Sequence, residues 1–391
     1  MPKPTLKTNR IIRSPQVLEA FMTFLRPRLP LDLQHTRITA DDLVEILAYA
    51  SVNRASIEAA CVELAGVPSA NRVREVLAAA LPERTALQRA LNTILRQQLP
   101  RCLLKGKRSY AVAIDITLIP YHGQPQRDTH EVVRGAPKAG TTHFHGYATV
   151  SIVHDKHRYV VALRFIEAGE DMATIVCQLL KRLKTLGIRL RRLYLDKGFC
   201  ATPVFQALDR RRVSYVVPIP VRGKSGGVRN LFVGAKGYWT PYTFKSAQHG
   251  AYTVQAVVVR RYTKGRYKRH GVKWFAYAVA DLPRGTAPRQ VFELYRHRFG
   301  IETSYRQMNQ VRARTSTRNP VIRLLLIGLA FILVNLYVAV RDSLTTLRQA
   351  ETPAAYTWLT LCRLARLLSR ALEQLLGTRA VFQHRPSTVL S

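Results

Sequence analysis

Acidic residues are scarce in this chain: 24 Asp and Glu stand among 391 residues against 61 Lys and Arg, a formal net charge of +37. So unbalanced a surface repels itself until phosphates or counterions neutralise it, which points to a polyanionic partner. The basic residues run the length of the chain rather than forming one cluster beside an apolar run, and this favours nucleic acid over an anionic membrane. Cysteine is also scarce. The five (Cys61, Cys102, Cys177, Cys200 and Cys362) are odd in number, far apart and without a Cys-x-x-Cys pair. That excludes a disulfide framework and a zinc knuckle, and fits a reducing compartment. No apolar run follows the opening MPKPTLKTNR, so no secretory signal is expected and the cytoplasm is the expected location. Internal repeats and long low-complexity segments are absent.

Long hydrophobic runs are nearly absent too. The exception, LLLIGLAFILVNLYVAV over residues 324–340, lies between Arg323 and Arg341 and carries Asn335 inside it. A spanning helix needs about 20 mostly apolar residues. The run falls short and is expected to be a helix buried in a globular core, with no membrane partner.

Periodicity divides the rest of the chain. Over residues 39–99 apolar side chains recur at helical spacing: Leu43, Ile46 and Leu47, then Ile57, Ala60, Cys61 and Leu64, then Val73, Val76 and Leu77. Gly66 and Pro68 end one helix, and Ser69 or Asn71 can cap the next, which carries Arg72 and Arg74 near its start. This is helix-turn-helix grammar, compatible with DNA-reading helices and equally with a helical packing or dimerisation domain. From Ser109 the pattern changes to short apolar runs, YAVAIDITLIP, YATVSIVHD and RYVVALRFI, with Asp155 and Lys156 for a turn between the last two. A helix stopped by Gly187, the strand RRLYLD, a helix opened by Thr202 and Pro203, and the strand SYVVPI follow. The resulting β-β-β-α-β-α-β order is that of an RNase H-like core, a mixed α/β fold in which acidic residues on the first and fourth strands come together. The expected divisions are a helical, DNA-binding candidate at 1–108, the first part of the core at 109–219, a β-rich insertion at 220–283, the second part of the core at 284–343, and a basic helical tail at 344–391.

Two aspartates stand where apolar strands should continue, Asp115 in AVAIDITLIP and Asp196 in LYLDKGF. A buried carboxylate without a partner is costly there, and a hard cation removes that cost. The third carboxylate is expected from the helix after the insertion. Glu302 fits, because Tyr295, Arg298, Glu302 and Asn309 fall along one face of a continuous helix, a polar stripe turned inward. Glu293 points another way and reads as a solvated surface residue. The histidines His143, His145, His154 and His157 lie on or beside strands without cysteine neighbours, which disfavours zinc; His145 and its neighbours are expected to face DNA or the sheet edge. In the insertion, Tyr238, Trp239, Tyr242, Arg260, Arg261, Tyr262, Lys264, Arg266, Lys268 and Arg269 are compatible with stacking on an unpaired base and tracking phosphates, and equally with an aromatic core and a solvated basic turn.

Taken together, Asp115, the Asp196-Lys-Gly-Phe segment, and the spaced Tyr295, Arg298 and Glu302 resemble the DDE transposases of bacterial and archaeal insertion sequences. The resemblance is to those with a Tyr-Arg-Glu-Lys signature and a β-strand insertion before the glutamate, and it covers residues 109–340. It implies that Asp115, Asp196 and Glu302 bind two Mg2+ ions, with Mn2+ able to substitute, for cleavage at transposon ends and strand transfer into target DNA. It also implies that Tyr295 and Arg298 contact DNA near the cut. The lysine position of the signature is Asn309 here, and Arg306, Gln310 and Arg312 lie close enough in sequence to supply the missing phosphate contact. The implied partners are double-stranded DNA and a second copy of the chain in the end complex. A rival reading, an inactivated DNA-binding remnant, is disfavoured by the intact acidic triad.

Overall fold

The computed structural model describes residues 12–34, 36–105, 108–153, 158–264, 270–296, 298–348 and 359–379. The chain divides into two compact units, one formed by Met1–Gln98 with Gln307–Ser391, the other by Leu99–Arg306. The first opens with five helices: α1 (Ser14–Leu25), α2 (Ala40–Val52), α3 (Ile57–Glu63), α4 (Ala70–Ala80) and α5 (Arg84–Gln98). Side-chain caps fix several of their starts. Thr39 accepts from the Asp42 amide while the Asp42 carboxylate accepts from the Thr39 amide, and Ser56 and Ser69 cap α3 and α4. The apolar positions that predicted these helices (Leu43, Ile46, Leu47, Val73 and Leu77) are fully buried. Arg72 and Arg74, near the start of α4, pair with Glu75 and Glu58 on the surface.

The second unit begins with α6 (Arg101–Lys105) and is built on one nine-stranded sheet among the described residues. Its first strands are β1 (Ser109–Pro120), β2 (Val133–Lys138), β3 (Thr141–Ile152) and β4 (Val160–Ile166). Then come α7 (Met172–Thr185), β5 (Arg189–Leu195), α8 (Thr202–Asp209) and β6 (Tyr215–Pro218). Gly187, in the left-handed region at φ 71°, ends the turn after α7, a conformation that a β-carbon would oppose. Strand order β4-β3-β1-β5-β6, parallel from β1 through β6 and antiparallel elsewhere, is the RNase H-like order. β2 is additional to the three strands that periodicity predicts before the first core helix. It is a mostly exposed edge strand, so burial does not impose on it the alternation that marks a strand in sequence. The predicted turn at Asp155 and Lys156 lies outside the described residues.

β7 (Tyr238–Ser246), β8 (Gly250–Lys264) and β9 (His270–Ala280) occupy the expected β-rich stretch. They extend the core sheet, because β9 pairs with β6 through Tyr215 opposite Ala280 and Val216 opposite Val279. Two helices follow, α9 (Pro288–Arg296) and α10 (Phe299–Gln310). The single helix expected across 295–309 is broken here. The Arg298 amide donates to the Tyr295 carbonyl at 2.9 Å, a tightened i to i−3 turn between the two helices. α9 covers one face of the sheet, with Val291 and Tyr295 packed among Ala111, Ala113, Tyr194, Val216, Val257 and Tyr277, while α7 packs against β3, β4 and β5.

The chain then rejoins the helical unit through α11 (Pro320–Arg348) and α12 (Leu361–Leu376). Within residues 284–343, α9 lies in the sheet unit and α11 in the helical unit. Asn319 caps α11, accepting from the Val321 amide at 2.8 Å, and Pro320 pre-sets its first turn. Pro320–Ser343 is long and apolar enough to cross a membrane, yet its most apolar window is wholly buried inside the protein, where it packs against α5 and α2. α5 and α11 approach closely at Gly328, whose added β-carbon would lie 2.6 Å from Leu91, and the Gln98 side chain donates to the Ile332 carbonyl at 2.9 Å. Within the region read as a tail, α12 buries Leu361, Leu364, Leu368 and Leu372 and packs on α1 and α2.

Candidate active site

Alternation along β1 decides which way Asp115 faces. Ala111, Ala113 and Asp115 are two residues apart and share the face covered by α9, on which Tyr194 of the neighbouring strand also packs. Parallel pairing of Ile114 with Leu195 sets the two aspartates side by side, Asp115 within β1 and Asp196 one residue past the end of β5. Across the antiparallel pair, Asp115 stands opposite Thr149 of β3. Glu302 comes from the first turn of α10.

All three carboxylates meet one guanidinium. Arg298 Nη2 donates to Asp115 Oδ2 at 2.9 Å, while its Nη1 lies 3.3 Å from Glu302 Oε1 and 3.6 Å from Asp196 Oδ1. Arg298 is 5% exposed and Asp115 8%, whereas the side chains of Asp196 and Glu302 are 36% and 39% exposed. The cluster therefore has a dry floor and a wet rim. Burial pushes the Asp115 carboxyl up to about 6; Arg298 and the Ile116 amide, which donates to Asp115 Oδ1 at 2.8 Å, hold it down, and the nearby Asp196 and Glu302 push it further up. Desolvation acts to lower the Arg298 pKa, but Asp115, Tyr295, Asp196 and Glu302 outweigh it and leave the guanidinium more basic than usual. Its Nε is buried without a hydrogen bond.

Two further residues complete the floor. The Tyr305 hydroxyl donates to the Asp115 backbone carbonyl at 2.8 Å and lies 2.8 Å from Thr149 Oγ1, tying α10 to β1 and β3 at the level of the triad. Neither residue stands out in sequence, although Tyr305 follows Glu302 by three positions and so shares its helical face, and Thr149 interrupts an otherwise apolar strand.

Donor chemistry fits a hard divalent cation: three carboxylates and no thiol or imidazole, with excess negative charge around one guanidinium. Among the described residues no group of three His, Cys, Asp or Glu side chains is gathered closely enough to hold a metal as it stands. Arg298 occupies the point on which the carboxylates converge.

The remaining predicted positions are dispersed. Tyr295 is 7% exposed and packs its ring against Tyr194 and Tyr277, so in this structure it is a core residue with Arg298 beside its ring. Arg306 is exposed; Asn309 is exposed and Arg312 half-buried, both past the limit of the sheet unit. Glu293 forms surface ion pairs with Arg261 and Arg296. His145 is buried against Tyr121, and His154 and His157 lie outside the described residues. In the β7–β9 segment Trp274 stacks on Phe232 beneath Arg260, and Trp239 donates to the Thr286 carbonyl, while Tyr262 is exposed. Arg266, Lys268 and Arg269 also lie outside the described residues.

A family model described as Transposase DDE domain matches residues 106–336, more than half of the chain and all three carboxylates of the cluster. The chain belongs to this transposase family. No curated protein matches it in sequence. Among solved structures it is similar to one described as the cryo-EM structure of piggyBac transposase synaptic complex with hairpin DNA. Identity is 11% and the TM-score 0.58, over 97% of this chain and 85% of that one. At that identity the likeness establishes the shared fold, and the family assignment supports DNA transposition as the function and divalent metals as its cofactors.

Proposed function

We propose that the protein is a Mg2+-dependent transposase of an insertion sequence that hydrolyses a strand at each transposon end and joins the freed 3′-hydroxyl to target DNA. The observation that carries this reading is the convergence of Asp115, Asp196 and Glu302, from three separate segments, on a single cation. These residues would hold two ions, Mg2+ or Mn2+, whose contribution is to neutralise charge on the attacking and leaving oxygens of the phosphodiester. Asp115 would supply its carboxylate from the dry floor, while Asp196 and Glu302 at the wet rim are open to a DNA strand. Tyr305 keeps β1 and α10 in register so that the carboxylates from both stay together. Arg298, Arg306, Asn309 and Arg312 are assigned to DNA phosphates, with Arg298 reaching them only by leaving its buried position; Tyr295 is assigned to shaping the site edge. The helical N-terminal region is assigned to DNA binding, the active complex to a homodimer on paired ends, and the location to the cytoplasm.

The test uses duplexes carrying the element's own terminal inverted repeats. Mg2+-dependent nicking that leaves a 3′-hydroxyl, followed by joining to a second duplex, supports the proposal; tight end binding without nicking in Mg2+ or Mn2+ would instead identify an inactive DNA-binding remnant.

A further inference from the structure

We infer that Arg298 is the resident counter-cation of the metal-free site: it gathers the three carboxylates in advance and must give them up when metal enters, which frees its guanidinium for DNA. This rests on reading Asp115, Asp196 and Glu302 as metal ligands.

Three carboxylates brought together in a partly dry pocket repel one another unless a positive charge stands among them. Arg298 is that charge, within 3.6 Å of all three and nearly inaccessible to solvent. Metal ions and the guanidinium compete for the same atoms. Asp115 Oδ1 already accepts from the Ile116 amide, a backbone group fixed in β1, and Oδ2 accepts from Arg298. Of these two partners, only Arg298 is a side chain able to withdraw. A divalent cation placed on Asp115 beside the guanidinium would meet strong repulsion, so the arginine yields.

Its backbone setting allows this. Arg298 lies in the turn between α9 and α10 rather than inside either helix, and its Nε is buried without a partner, so the present pose leaves one donor unsatisfied. Phosphate oxygens would accept from a planar, multiply donating guanidinium, including the nitrogen now idle. Metal loading and DNA contact are thereby coupled: the arginine is presented to the strand only once ions have replaced it.

Binding of Mn2+ alone, followed on full-length protein without DNA by the loss of the free-ion paramagnetic resonance signal, tests this. The wild type is compared with Arg298→Met, Arg298→Lys and Asp196→Ala, and thermal midpoints are recorded with and without Mn2+. Arg298→Met should bind Mn2+ at least about tenfold more tightly than wild type, equivalent to about 1.4 kcal/mol of removed repulsion. Its metal-free midpoint should fall, with Mn2+ restoring more of it than in wild type. Arg298→Lys, whose single ammonium cannot fork to three carboxylates, should lie between, and it decides the matter if Arg298→Met does not fold. Equal or weaker Mn2+ binding by the Arg298 variants, with binding lost in Asp196→Ala, overturns the counter-cation role alone. Undiminished Mn2+ binding by Asp196→Ala overturns the metal-site reading beneath it.

Discussion

The Tyr305 hydroxyl donates to the backbone carbonyl of Asp115 at 2.8 Å, so the helix that supplies Glu302 is fastened to the strand that supplies the buried aspartate. Removing that hydroxyl leaves the carbonyl, and Thr149 beside it, one partner short. Tyr305→Phe is expected to lower stability by about 1 kcal/mol. It should slow strand cleavage several-fold while leaving end binding unchanged. Equal cleavage rates and unfolding midpoints for variant and wild type would show that this fastening is idle.

The raised Asp115 pKa gives a pH signature in metal-free protein. The folded chain holds this proton up to about pH 6, against a reference value of 3.8, so folding is favoured most where the carboxyl is protonated. Stability from this group is lost as pH rises through that window, on the order of 3 kcal/mol in total. Asp115→Asn cannot lose the proton. Denaturant titrations should show its stability relative to wild type increasing between about pH 4 and 7; a constant difference would contradict the assigned burial cost.

Close approach of α5 and α11 depends on Gly328. A β-carbon there would stand 2.6 Å from Leu91, itself fully buried, so Gly328→Val should cost about 1–3 kcal/mol through overpacking. Adding Leu91→Ala should recover part of the loss. Independent, additive effects of the two substitutions in thermal melts would mean that the two positions do not share a contact.

With 61 basic residues against 24 acidic ones, DNA binding should release many counterions. The affinity for any duplex should fall steeply and linearly on a log-log plot from low to physiological salt. A flat plot is incompatible with phosphate-dominated binding.

Much of the sheet unit was legible because its strands are short apolar runs punctuated by turn residues, and because a carboxylate inside such a run is conspicuous. Asp115 and Asp196 were both visible for that reason, and their adjacency followed from strand order. The edge strand β2 was not legible, since exposure relieves it of any apolar pattern. The break at Arg298 escaped as well: helical periodicity carries through one tightened turn, so Tyr295, Arg298 and Glu302 read as a single stripe although they sit on a helix, a turn and a second helix. The packing of the Tyr295 ring against Tyr194 and Tyr277 was not legible either, since those partners are supplied only by the tertiary fold. Long-range grouping was hidden too. The apolar pattern of α11 announces burial without saying against what, and its neighbours α5 and α2 lie more than 200 residues earlier in the chain.

If Asp115, Asp196 and Glu302 act together as the catalytic carboxylates, strand cleavage has one most direct test. It is Mg2+-dependent nicking of inverted-repeat duplexes by Asp196→Ala, with end binding measured on the same preparation. Asp196 is the choice because its side chain is partly exposed, so its loss disturbs the fold less than loss of the buried Asp115 would. Nicking is expected to disappear while end binding stays within a few-fold of wild type; nicking at the wild-type rate would rule out a shared catalytic role for the three carboxylates.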